Sequence, residues 1–303
     1  MDKLHKVIEN PGGGVILLGK EGTGVFPQAL KLAEDIANFG KNSLIPWKNH
    51  NDIHVIDIID GKRDVTLNQL SCIWENKSLV PMYARVNIYV IGHADCMNIY
   101  VQNALLKVLE DGYSNNIIIM CCENRPIDTV CNRCTVIPAG RSITQAELKK
   151  FSSDTGFSEG LIKATVNDRY EWLEHMSEKG SLTQILKMVD SLRTVKESRE
   201  LIFSLSAMAE GNRNFIKSSD VVEQLSLFYG MEAIFFDAMN VEIKVPLKCI
   251  NEEEANKLRK IYSPSDIVII LQEIIRTRER IKNKTFTLSD YNQVILYLAR
   301  RIN

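Results

Sequence analysis

The sequence has almost no net charge: 37 Lys and Arg stand against 38 Asp and Glu in 303 residues, leaving −1. That balance removes any chain-wide attraction to nucleic acid or to a membrane surface, leaving only a local basic patch as a route to either. No stretch approaches the roughly 18 uninterrupted apolar residues of a membrane span, and the opening "MDKLHKVIEN" lacks the apolar core of a signal peptide. A cytoplasmic protein with no membrane partner is therefore expected. Internal repeats and low-complexity segments are also missing. The seven cysteines, at 72, 96, 121, 122, 131, 134 and 249, form no framework of regular spacing, and their odd number suits free thiols in a reducing compartment. "CNRC" has zinc-like spacing at Cys131 and Cys134, but a structural zinc site usually needs a second such pair. Cys121 and Cys122 are adjacent in an apolar run, which is poor ligand geometry, so no zinc is expected.

What is present is a soluble globular composition, 45% hydrophobic and 25% charged, on a chain long enough for two or three domains. Residues 1–9 can form a short helix that "NPGGG" closes. "VILLG", "HVIDII" (54–59), "VNIYVIG" (86–92), "NNIIIMCC" (115–122) and "TVIPAG" read as strands. Between them, "FPQALKLAEDIANFG", "TLNQLSCIWENKS" opening on a Thr cap, "NIYVQNALLKVLEDG" ending at Gly112 and the short "RPIDTVCNRC" read as helices. Alternation of strand and helix argues for a parallel sheet covered on both faces. From "SITQAELKKF" onward, apolar residues recur at helical spacing almost throughout, and the polar "EGNRN" (210–214) reads as a second boundary. The expectation is α/β followed by all-α: an α/β domain over 1–140, a small helical domain over 141–209 and a helical C-terminal domain over 210–303.

The first chemical signal is "ILLGKEGTGVF", residues 16–26. Gly19 and Gly24 bracket four residues after a strand and before a helix, the spacing and context of the phosphate loop G-x-x-x-x-G-K-S/T. Where that loop needs a Lys for the β- and γ-phosphates and a Ser or Thr for Mg²⁺, this chain has Val25 and Phe26. The candidate phosphate-binding residues that remain are Gly19, Gly22, Thr23 and Gly24, whose backbone N–H groups at a helix N-terminus can hold an anion without any Lys. Residual nucleotide or phosphate binding is compatible with that.

In P-loop ATPases the third strand ends in carboxylates that hold Mg²⁺ and prepare the attacking water. Here those positions fall on Gly92 and His93, with Asp95 three residues beyond the first. His93 as a base would have no positioned triphosphate to act on. Glu123 and Asn124, after the fourth strand, read as a turn. Four losses, at Val25, Phe26, Gly92 and His93, describe a site that does not turn over ATP.

Residues 86–137 resemble the ATPase core of bacterial DNA polymerase III clamp-loader subunits. The matching features are "NALLKVLED" at 103–111, the strand after it, and Asn132-Arg133-Cys134 where the family usually has Ser-Arg-Cys. With its broken loop, the chain looks most like the delta-prime subunits, which do not hydrolyse ATP. It departs from them in lacking Cys in "FGKNSLIPWKNHNDI" (39–53), where the family inserts a four-Cys zinc module, so zinc is not carried over. The resemblance implies an AAA+ module, a three-helix lid and a helical collar. "YGMEAIFFDAMN" (229–240) and the run Asn283–Leu288 fit the collar.

It also implies partners: motor subunits, a clamp-opening subunit and, through the assembly, the sliding clamp and primer–template DNA. The same resemblance implies that Arg133 enters a neighbour's ATP site as an arginine finger. Arg133 by itself reads first as a helix cap or a surface ion pair, and Lys107 and Glu110 as a solvated face. Two other readings remain open on the residues: an active ATPase with an atypical site, and a stand-alone binding module.

Overall fold

The computed structural model describes residues 3–59, 64–75, 79–110, 115–193, 213–241 and 245–300. The chain divides into two compact units, Met1–Arg141 and Ser142–Asn303.

The first unit is α/β. Its strands are β1 (Gly13–Leu18), β2 (Ile53–Ile56), β3 (Asn87–Ile91), β4 (Asn116–Cys122) and β5 (Cys134–Pro138), in the order β2-β3-β4-β1-β5. Every neighbouring pair is parallel. Parallel neighbours need crossovers, and helices α2 (Val25–Ala37), α3 (Leu67–Glu75), α4 (Ile99–Glu110) and α5 (Asp128–Cys131) lie in these connections, preceded by α1 (Lys3–Glu9). Period-2 alternation sorts the strand side chains. Val15, Leu17, Ile88, Val90, Ile117 and Ile119 pack with α1 and α2 on one face. Ile16, Tyr89, Ile91, Ile118 and Met120 pack with α3, α4 and α5 on the other. Both faces are covered, which is why β3 and β4 read as unbroken apolar runs. Leu18 pairs with Cys122 on one side and Pro138 on the other, so the loop after β1 leaves the sheet flanked by the ends of β4 and β5.

Two elements stop earlier than their apolar pattern suggests. The second strand ends at Ile56 instead of Ile59, because Asp57 turns its carboxylate to the His93 ring (2.7 Å) and to its neighbour's N–H at Ile58 (2.7 Å). Helix α2 ends at Ala37 because Asn38 donates its side-chain amide to Glu34 O (2.9 Å) and Ile45 O (3.0 Å), turning the chain before Gly40. The expected helix end at Gly112, residues 198–210 of the expected helical pattern and the boundary at 209/210 lie outside the described residues.

The second unit is helical. Local sequence starts its helices: Thr144 with Glu147, Asp220 with Glu223, and Asn251 with Glu254 form reciprocal capping boxes, and Ser263 caps a helix with Pro264 in its first turn. Each such cap contributes on the order of 0.5–2 kcal/mol. The helix Val221–Asn240 is buried on most of its circumference, with Phe228, Met231, Ile234 and Phe235 inside a single apolar core. It is apolar nearly all round because other helices surround it. Among the described residues, no helix is long and apolar enough to cross a membrane.

Candidate functional site

The loop after β1 joins a strand to a helix and is tied up by hydrogen bonds within the chain. Gly22 and Gly24 take left-handed conformations, φ 76° and 88°, and Gly24 stands at the N-terminus of α2. Thr23 is 8% exposed; its N–H (3.2 Å) and its hydroxyl (2.5 Å) both donate to Lys20 O. Gly140, at φ 83°, lies over that hydroxyl so closely that a Cβ there would overlap it. The loop is tied to β5 and the residues after it by Arg141 N to Thr23 O (2.8 Å) and Ala139 N to Leu18 O (2.9 Å). Gly19 N donates to Cys122 O (3.0 Å). At least two N–H groups that could face a phosphate, those of Gly19 and Thr23, are therefore engaged with carbonyls of the chain.

Val25 occupies the position that would carry the phosphate-contacting Lys. It is 6% exposed and belongs to the core under β1, with Cγ2 only 2.9 Å from where a Cβ on Gly19 would sit. Phe26 packs against the same core. The loop therefore offers neither an ammonium nor a hydroxyl at these two positions, and these residues do not fit a magnesium–triphosphate group.

At the end of β3, Gly92 and His93 close a second part of the site. A Cβ on Gly92 would lie 2.6 Å from the Asp57 carboxylate, so the space beside that backbone is filled from β2 instead. His93, itself left-handed at φ 47°, sets Nδ1 2.7 Å from Asp57 Oδ1, and its Nε2 lies 3.7 Å from Glu21 Oε1 in the loop. Hydrogen bonding to Asp57 first and Glu21 second raises the His93 pKa to about 10, against the opposing effect of burial. For Asp57, burial works to raise the pKa, but the His93 hydrogen bond and the Ile58 N–H outweigh it and hold the carboxyl below its usual range. His93 is thus an imidazolium between two carboxylates, a cation supplied by the chain. Asp95 accepts from Asn124 N (3.1 Å) and Nδ2 (3.3 Å), joining the ends of β3 and β4.

Arg133 lies in the turn between α5 and β5. Its Nη1 donates to Thr129 O (2.9 Å) and its Nη2 pairs with Glu110 at the end of α4; the side chain is 36% exposed. Both simple readings of this Arg, helix cap and surface ion pair, are therefore present in the free chain. Two of its five N–H donors are used in these contacts. Gln102 holds the adjoining segment in place: its Oε1 accepts from Ile127 N (2.9 Å) and its Nε2 donates to Met97 O (2.8 Å). On the two sides of Arg133, Cys131 Sγ donates to Pro126 O (3.4 Å), and burial raises the Cys134 pKa to about 12, so Cys134 is a thiol at neutral pH. Among the described residues no group of three or more His, Cys, Asp or Glu is arranged to hold a metal ion.

The structure brings Gly19, Gly22, Thr23 and Gly24 together with Glu21, Asp57 and His93. Arg133 is anchored instead at the end of α4. Sequence reading missed Asp57, Glu21 and the Arg133 partner Glu110. Asp57 lies inside an apolar run that reads as continuous strand, and Glu110 meets Arg133 only through the packing of α4 beside α5.

Residues 14–141 match a family model described as DNA polymerase III, delta subunit. No curated protein matches the sequence. Among solved structures, a DNA polymerase III gamma subunit-related protein from Thermotoga maritima is 14% identical, with 99% of each chain covered and a TM-score of 0.46. The Thermotoga maritima RuvB Holliday junction branch migration motor is 16% identical, with 71% of each chain covered and a TM-score of 0.38. The family model spans less than half of the chain, all of it within the first unit.

Proposed function

We propose that this chain is a non-hydrolysing, delta-prime-type subunit of a DNA polymerase III clamp loader. It supplies Arg133 in trans to the ATP site of a neighbouring motor subunit. The observation that carries the first half is Val25: buried against Gly19, it takes the place of the Lys on which a phosphate loop depends. His93, paired with Asp57 and Glu21, works in the same direction, because a fixed cation stands where a metal-binding carboxylate is needed.

The second half is chemical. An Arg on an ordered turn, partly exposed, presents a rigid fork that matches phosphate oxygens. In a neighbouring site such a fork stabilises the charge spread over the transferring phosphoryl group, an effect on the order of 10³–10⁵ in rate. In this reading the retained loop shapes an interface. Residues 141–209 act as a lid and 210–303 as a collar that joins the motor subunits and the clamp-opening subunit. The chain acts on the sliding clamp and primer–template DNA through the assembly, and no cofactor is needed in its own site. The test is the clamp- and DNA-stimulated ATPase of motor subunits reconstituted with the wild-type chain or with Arg133→Ala.

A further inference from the structure

The segments that precede β2 and β3, at the opposite end of the sheet from the loop after β1, build a second ordered feature. Leu79, Val80, Met82 and Tyr83 are 56%, 77%, 70% and 50% exposed, four large apolar side chains around Pro81. They are held in place. The N–H groups of Met82, Tyr83 and Ala84 donate to the Asp52 carboxylate at 2.8, 2.7 and 2.7 Å, and Leu79 O accepts from Asn87 Nδ2 at 2.9 Å. Burial of Asp52 opposes its charge, but these N–H bonds outweigh that and keep the carboxyl below its usual pKa. A backbone fixed in this way has little ordering cost left when a partner covers its side chains.

The neighbouring segment is equally fixed. Asn38 exchanges two hydrogen bonds with the backbone of Ile45 (3.0 and 2.9 Å), and Trp47 N donates to Glu34 Oε2 (3.2 Å). Leu44, 75% exposed, immediately precedes the anchored Ile45. The two segments touch. Asn51 Nδ2 is 3.9 Å from Met82 Sδ, the His50 ring meets Tyr83 edge-on at 6.2 Å, and the Arg85 guanidinium lies 4.4 Å over Phe39.

Charge indicates what covers this surface. Residues 39–51 and 79–86 carry Lys41, Lys48 and Arg85 and contain no Asp or Glu; the carboxylates packed against them, buried Asp52 and partly buried Glu34, are engaged with N–H groups of these segments and, for Glu34, with Lys31. We propose that this platform docks an acidic, apolar segment of a partner protein, with Val80 and Met82 against its apolar side and Lys41 and Lys48 opposite its carboxylates. The exposed tip is mainly aliphatic, which suits a peptide better than the stacking faces that single-stranded nucleic acid uses. The proposal does not depend on the role of Arg133.

The test uses the full chain, with anisotropy of labelled probes as the readout. Three probes are compared: an amphipathic Leu/Glu helical peptide, its Leu/Lys counterpart and a thymidine oligonucleotide. The Leu/Glu peptide is expected to bind saturably and to weaken with salt. Val80→Asp with Met82→Asp should lower its affinity at least tenfold, and Lys41→Glu with Lys48→Glu several-fold, without a change in thermal midpoint. The proposal is overturned by no saturable binding of the Leu/Glu peptide, equal binding of the Leu/Lys peptide, binding indifferent to Val80 and Met82, or preferential capture of the oligonucleotide through the same residues.

Discussion

Glu110, the last residue of α4, and Arg133, in the turn before β5, form an ion pair within the free chain. The pair is half exposed, with side-chain accessibilities of 49% and 36%. Solvent screens such a pair, so it sets the direction of the guanidinium more than it stabilises the fold. If Arg133 acts in trans as proposed, such a pair keeps its guanidinium ordered without holding it tightly.

Glu110→Ala is accordingly expected to change unfolding free energy by no more than about 1 kcal/mol, the range of exposed pairs. Urea denaturation measures this. A loss of several kcal/mol would make the pair a structural anchor and leave Arg133 little freedom to engage a neighbour.

Restoring the loop residues alone should not restore hydrolysis. Val25→Lys with Phe26→Thr puts an ammonium into a core position that is 6% exposed in the wild type, while Gly92 and His93 still provide no metal-binding carboxylate. The expected result is a lower thermal midpoint and no magnesium-dependent ATPase of the isolated chain. Turnover by this variant would show that the end of β3 is not part of what disables the site.

The Asp57–His93 pair predicts a definite pH dependence. His93 has a raised pKa in the folded chain, so its contribution to stability is complete below the unfolded value of about 6.5 and is lost as pH rises through about 10. Asp57 has a depressed pKa, so its contribution is present above the unfolded carboxyl value and is lost as pH falls through the folded one. His93→Asn should flatten the alkaline side of a plot of urea midpoint against pH. An unchanged slope between pH 7 and 10 would place the imidazolium outside the stabilising network.

Much of the first unit was legible because its strands are buried on both faces. Runs such as "NIYVI" and "NIIIM" need no partner information to be read as core strands. The turn between β1 and α2 was legible for a similar reason: Gly19, Gly24, Val25 and Phe26 lie within eight residues, and the pattern is local. Long-range polar pairing was not legible. Asp57 meets His93 36 residues away, and the Asp52 carboxylate gathers N–H groups from 30 to 32 residues away. No local pattern encodes those distances; only the sheet order β2-β3 brings them together. The early end of β2 follows from the same cause, since an apolar run continues to Ile59 while a polar contact turns the chain at Asp57.

The central claim is tested most directly by the clamp- and primer-DNA-stimulated ATPase rate of motor subunits reconstituted with this chain or its Arg133→Ala form, with assembly verified by size-exclusion chromatography. The account predicts that the wild-type chain raises turnover, that Arg133→Ala assembles equally well but loses at least a hundredfold of the gain at the adjoining site, and that the isolated chain is inactive. Equal rates with the two forms would contradict the trans role of Arg133, and hydrolysis by the isolated chain would contradict the reading of its loop.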